Sequence, residues 1–170
     1  METIFYADSS AYASEAKVKQ ILSRHFGIEN ATILRTKNGK PYVENGPFFS
    51  VTHTEKRTYI AVSKENVGID AEALSRVVEY QAILKRFPEA EREEITTPQE
   101  FLTHWTVKES AVKFLGGTLA HDLKKLTFTQ SRLTYENEPF PAGITLLKHD
   151  GFLLAVCGSN RFENAEIVPI

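Results

Sequence analysis

Cysteine is almost missing from this sequence: Cys157 is the only one among 170 residues, so no internal disulfide framework can form. It sits in the apolar run Phe152-Leu153-Leu154-Ala155-Val156-Cys157, where a small buried thiol is the expected role. Long apolar runs are absent too, and none approaches the ~20 residues that a membrane-crossing helix needs. Residues 1–14 show neither a basic start nor an apolar stretch. No signal peptide is therefore expected, and the expected compartment is cytoplasmic. Neither sign of charge dominates: 20 Lys and Arg stand against 22 Asp and Glu, net −2. With no basic run, neither nucleic acid nor a membrane is an expected partner. Internal repeats, low-complexity stretches and linkers are lacking as well.

What remains is ordinary globular material, 42% apolar and 25% charged, long enough for one domain or for two small halves sharing a core. Residues 3–6 form a candidate strand. Residues 11–26 have helical apolar spacing, with Gly27 as a stop signal. Residues 31–34 are a candidate strand, and Lys37-Asn38-Gly39-Lys40-Pro41 is a turn. Strands over 48–54 and 57–63 are separated by Glu55-Lys56, and 67–72 is expected to complete an antiparallel meander. A helix over 77–94, interrupted near Pro88, is followed by a stronger one over 98–115 that ends at Gly116-Gly117. Three strands are expected last, at 125–133, 144–149 and 152–158. Helix then strands, twice over, predicts an α+β fold of two similar halves, 1–97 and 98–170.

Three stretches carry chemistry. In Gly68-Ile69-Asp70-Ala71-Glu72, residues two apart on a strand share a face, so Asp70 and Glu72 present adjacent carboxylates. Such a pair repels unless a cation or proton intervenes, and hard oxygen ligands favour Mg²⁺. A solvated strand face is the plain alternative. In Trp105-Thr106-Val107-Lys108-Glu109-Ser110-Ala111-Val112-Lys113, Glu109 and Lys113 share a helix face. Lys108 falls within an apolar stripe, where it must snorkel or find a partner. An ordinary surface pair would look the same. In Phe49-Ser50-Val51-Thr52-His53-Thr54, His53 at a strand end can donate to a phosphate, or simply satisfy structure.

Together, and in order, Gly39-Lys40-Pro41, Phe49 to Thr54, Gly68 to Glu72 and Trp105 to Lys113 resemble the motifs of the 4′-phosphopantetheinyl transferases. The likeness is greatest to the longer, surfactin-synthetase-type members. It spans residues 37–119, about half the chain. Ser50 stands where that family has asparagine, Thr52 where it has serine, and Ala71 where it has a branched residue. Ser9-Ser10-Ala11 stands where longer members carry basic residues for a nucleotide 3′-phosphate, leaving Lys17, Lys19 and Arg24 nearby.

The resemblance implies two halves about a pseudo-twofold axis with coenzyme A between them, in a protein that needs no second copy and is expected to be monomeric. It implies transfer of phosphopantetheine from coenzyme A to a serine of an acyl or peptidyl carrier protein. Asp70, Glu72 and Glu109 would hold Mg²⁺, and Lys113 would stabilise the leaving group. Gly39, Lys40, Thr52, His53 and Lys108 would attend coenzyme A. The base would be Glu109, a water at the metal, or Glu91. Arg76, Lys85, Arg86 and Arg92 would meet an acidic carrier. The two rival readings are a coenzyme A-binding module without efficient catalysis and a metal-dependent phosphohydrolase.

Overall fold

A computed structural model describes residues 2–9 and 14–170, apart from the side chains of residues 160 and 161. Its architecture is α+β. The start of the expected first helix, residues 11–13, and the stretch at residues 10–11 lie outside the described residues.

Alternation along the strands builds two sheets that face each other. The first is formed from β1 (Thr3–Asp8), β4 (Phe48–His53), β5 (Arg57–Ser63) and β12 (Glu166–Pro169), in the order β12-β1-β5-β4. The second is formed from β6 (Gly68–Ala73), β10 (Gly143–His149) and β11 (Phe152–Gly158), in the order β10-β11-β6. Ile4, Tyr59 and Ala61 project from the first sheet, and Ile69, Leu154 and Val156 from the second, into one buried cluster. The intervening residues face the other way, as a period of two requires. Phe5, Ile60 and Val62 meet Val18, Ile21 and Leu22 of helix α1 (Ser14–Phe26). Ala155 and Cys157 meet Val107 and Ala111 of helix α4 (Pro98–Leu115). Helix, sheet, sheet and helix thus stack in layers around shared apolar faces.

The expected meander is corrected here. The β4–β5 hairpin forms, but β6 pairs its backbone with β11 and not with β5. Strand β5 already has β4 on one edge and β1 on the other, so no ladder position remains for β6. The expected strand over 125–133 is two strands, β7 (Leu126–Thr129) and β8 (Arg132–Tyr135), with the short β9 (Glu138–Pro139) beside β8. Gln130 and Ser131 between β7 and β8 both have positive φ, 48° and 60°, which is the backbone of a tight hairpin turn. Without glycine at either position the reversal has no signal in the sequence. Between residues 77 and 94 only two short helices form, α2 (Gln81–Leu84) and α3 (Glu89–Glu94). The expected strand over 31–34 shrinks to β2 (Leu34–Arg35), paired with β3 (Pro41–Tyr42).

Helix α4 has the bounds that the sequence predicts. Thr97 accepts from the Glu100 amide while the Glu100 carboxylate takes the Thr97 N–H, a reciprocal cap with Pro98 in the first turn. Gly116 closes it in the left-handed region at φ 65°. The helix lies directly on β6, and Gly68 is what lets the backbones approach. A β-carbon there would collide with the Ser110 carbonyl oxygen and the Phe114 amide. Gly68→Ala should therefore cost at least about 2–3 kcal/mol, since neither backbone group can move aside. Urea denaturation checks this; a wild-type midpoint would overturn the close contact. Among the described residues, no helix is long and apolar enough to cross a membrane.

Candidate active site

Strands β4 and β6 belong to different sheets, and side chains tie them together where they meet. Ser50 Oγ accepts from the Ile69 amide at 3.1 Å, and Thr52 Oγ1 donates to Asp70 Oδ1 at 2.9 Å. Both hydroxyls are buried, which is tolerable only because each is paired. Thr52, expected to attend coenzyme A, thus bonds to a carboxylate of β6.

On β6, Asp70 and Glu72 share the face opposite Ile69 and Ala71, both of which are in the core. Helix α4 adds Glu109 and Lys113 one turn apart. Lys113 Nζ donates to Asp70 Oδ1 at 2.7 Å across 43 residues of sequence. Asp70 is only 4% exposed, yet its Oδ2 is buried without a hydrogen-bond partner. Glu109 has its pKa pushed up to about 7, first by burial and then by the negative charge of Asp70, with Lys113 working against the rise. Glu72 accepts from Arg76 Nη1.

Among the described residues, no three His, Cys, Asp or Glu side chains form a ready metal-ligand set; Glu72 is turned onto Arg76. The chemistry of the donors nonetheless fits a hard divalent cation. A buried carboxylate oxygen with no partner and a second carboxylate destabilised by burial are both relieved by positive charge between them.

Beside this cluster lies a cleft of about 340 Å³, whose walls include Arg35, Gly39, Lys40, His53 and Lys113. Its rim is the 36–40 turn, where Gly39 stands at φ 89° with open space around its α-carbon. Asn38 Nδ2 ties the turn to the Gly116 carbonyl at 2.9 Å. Lys40 Nζ donates to Asn66 Oδ1, the Val67 carbonyl and the Phe114 carbonyl at 2.6, 3.2 and 3.1 Å. All three donors of the ammonium are thereby engaged. Lys40 straps the turn to the ends of β6 and α4 and contributes charge to the cleft wall; burial lowers its pKa to about 8. His53 Nδ1 pairs with Thr58 Oγ1 at 3.0 Å. Its pKa is lowered by partial enclosure, then by the charges of Lys113 and Lys17.

Lys108 and Glu91 stand elsewhere. Both are completely buried, and neither is part of the cleft wall. Lys108 Nζ donates to Glu91 Oε2 at 2.7 Å and to the Leu126 carbonyl at 2.6 Å. It also lies 4.1 Å from the centre of the Phe87 ring. His104 Nδ1 bonds to Glu91 Oε1 at 2.9 Å. His104 belongs to none of the sequence motifs, although its spacing four before Lys108 puts both on one helix face. Arg76, expected only at a carrier-docking surface, lies four residues after Glu72 and pairs with it; Lys85, Arg86 and Arg92 are exposed at the surface.

Residues 66–157, just over half the chain, match the model of the 4′-phosphopantetheinyl transferase superfamily, and the chain belongs to it. It is similar to the 4′-phosphopantetheinyl transferase gsp of Aneurinibacillus migulanus, 30% identical over 110 residues, covering 60% of this chain and 46% of that protein. It is also similar to the L-aminoadipate-semialdehyde dehydrogenase-phosphopantetheinyl transferase of Rattus norvegicus, 27% identical over 157 residues, covering 78% of this chain and 51% of that one. The chain spans about half the length of these curated relatives.

Proposed function

We propose that this chain transfers the 4′-phosphopantetheine group of coenzyme A to a serine of an acyl or peptidyl carrier protein, releasing adenosine 3′,5′-bisphosphate. The observation that carries the reading is the contact between Lys113 Nζ and Asp70 Oδ1, at 2.7 Å. It joins two of the four motifs at the mouth of a cleft rimmed by a third. The names of the two relatives support the same reading.

In this reaction the serine oxygen bonds to the phosphorus that carries pantetheine, and the pyrophosphate bond to the nucleotide breaks. Negative charge grows on the departing phosphate, so fixed positive charge there lowers the barrier. When bound, Mg²⁺ would neutralise pyrophosphate charge, held by Asp70, Glu72 and Glu109. Lys113 reaches from Asp70 to the leaving phosphate. Lys40 and Gly39 form the nucleotide end of the cleft, and His53 offers its second ring nitrogen to a phosphate. Glu109 takes the serine proton. Both oxygens of Glu91 already have partners in His104 and Lys108, which supports Glu109 over Glu91 in that role. Residues 1–97 and 98–170 act as the two walls of the cleft within a monomer.

Mass spectrometry of purified apo carrier proteins, incubated with coenzyme A, Mg²⁺ and this protein, tests the proposal. A phosphopantetheine adduct on the carrier serine, lost in EDTA, is the expected result. Coenzyme A binding without any adduct would make the chain a binding module. Phosphopantetheine release without a carrier would make it a hydrolase. Lys85, Arg86 and Arg92 at the surface suit an acidic partner, so the apparent KM for the carrier should rise with salt, as exposed charges are screened within about 10 Å at 0.1 M. A flat salt response would point to an apolar docking surface.

A further inference from the structure

Two side-chain cations lie on the carboxylate cluster, and only one of them faces the cleft with coenzyme A's expected nucleotide end. Lys113 holds Asp70. The other, Arg76, comes from the segment just after β6. Its amide donates to the Ala73 carbonyl at 2.9 Å, and the Leu74 amide donates to the Gly151 carbonyl at 2.9 Å. This turn folds the chain back, so that the guanidinium lies on Glu72. The carboxylates of Glu109 and Asp70 also act on it. The two partners differ in burial: the Arg76 side chain is 51% exposed and that of Glu72 only 13%. Arg76 can therefore leave into solvent without disturbing the core, whereas Glu72 stays where it is. A second polar cleft, about 840 Å³, opens at this point, lined by His53, Lys56, Glu72, Ser75 and Arg76 among others.

We propose that Arg76 is a movable counter-ion of the metal site: it neutralises Glu72 in the free protein, yields that carboxylate to the divalent cation, and then turns to a phosphate oxygen of the substrate. The second half of this sequence rests on the function proposed above; the first half does not.

Charge arithmetic supports the exchange. With all three carboxylates ionised, Lys113 and Arg76 leave a net −1, a weak site for a dication. Without Arg76 on Glu72 the same cluster carries −2 and holds the cation better. Once the pyrophosphate arrives, negative charge is again in excess, and a guanidinium is suited to phosphate oxygens. Arg76 is a positioning residue whose influence on metal and on substrate should have opposite signs. A purely structural residue would weaken both together.

Mn²⁺, followed by electron paramagnetic resonance, is the probe of the free protein. Arg76→Gln should bind Mn²⁺ about tenfold more tightly than wild type, while Arg76→Lys, which keeps the charge, should stay near wild type. Calorimetry at saturating Mg²⁺ should show coenzyme A binding about tenfold weaker to Arg76→Gln. Circular dichroism and melting curves establish that both variants fold, as a half-exposed side chain leads one to expect. Unchanged or weaker Mn²⁺ binding by Arg76→Gln, or no Mn²⁺ binding by either form, would overturn the counter-ion. Tighter Mn²⁺ with unchanged coenzyme A affinity would overturn the hand-over to phosphate. If wild type itself fails to bind coenzyme A, the proposed function falls, and the Mn²⁺ comparison still decides the first half.

Discussion

Glu109→Gln should lower kcat for carrier modification by at least about a hundredfold while leaving the fold intact. The substitution keeps size and one oxygen, but removes the charge that would hold the metal and the lone pair that would take the serine proton. Losses of this size are usual for a metal-site carboxylate or a general base. Stability should move the other way. Burial and the neighbouring Asp70 push the Glu109 carboxyl up to about 7, above its value in an unfolded chain. The folded protein therefore holds that proton more tightly than the unfolded chain does. The stability this group lends is complete at low pH and lost as pH rises through about 7. In EDTA, Glu109→Gln should melt at or above the wild-type temperature at pH 8, with a smaller advantage at pH 6. Near-normal transfer by this variant at saturating Mg²⁺ would sink the proposed chemistry. A lower melting point at pH 8 would sink the electrostatic account of the cluster.

The second large effect belongs to Lys108. Its ammonium is completely buried against Glu91, the Leu126 carbonyl and the Phe87 ring, and burial lowers its pKa. Lys108→Met leaves the Glu91 carboxylate without its cation inside the protein. Breaking one side of such a pair costs about 3–5 kcal/mol, which for a chain of this size lowers the melting temperature by about 10 °C. Glu91→Gln/Lys108→Met should recover most of that loss, because no stranded charge remains and the new side-chain amide can still pair with His104. A double variant no more stable than Lys108→Met would overturn the pairing. Activity gives an independent reading. Glu91→Gln alone should reduce kcat far less than Glu109→Gln. Were it instead to abolish transfer in a folded protein, the base would have to be Glu91.

The contrast between two helical stretches illustrates why part of this protein was legible in advance. Helix α4 advertises its own ends: Thr97, Pro98 and Glu100 satisfy the first amides, and Gly116 takes the left-handed closing turn. Those preferences act over three or four residues and need no partner, so its bounds could be read directly. In the same way, strand periodicity put Asp70 and Glu72 on one face, and helical periodicity put Glu109 beside Lys113. The stretch between residues 77 and 94 carries the same helix-forming composition but no such caps, and only short turns of helix survive there.

What the sequence determined by itself, then, is the order of the motifs, the superfamily they belong to, and the α+β class. Each of these is a matter of residue type and short spacing. The tertiary structure decided which strand edge was free to take β6, and that depended on β1 having already covered β5. It decided that Lys40 would direct its donors at Asn66, Val67 and Phe114, and that Lys108 would join Glu91 and His104. It also decided that Arg76 would turn back onto Glu72. A long charged side chain goes to whatever unpaired oxygen the packed chain brings within reach, and those oxygens come mostly from residues distant in sequence. Local spacing carries no information about them, because their positions exist only after the sheets and helices have closed around the core.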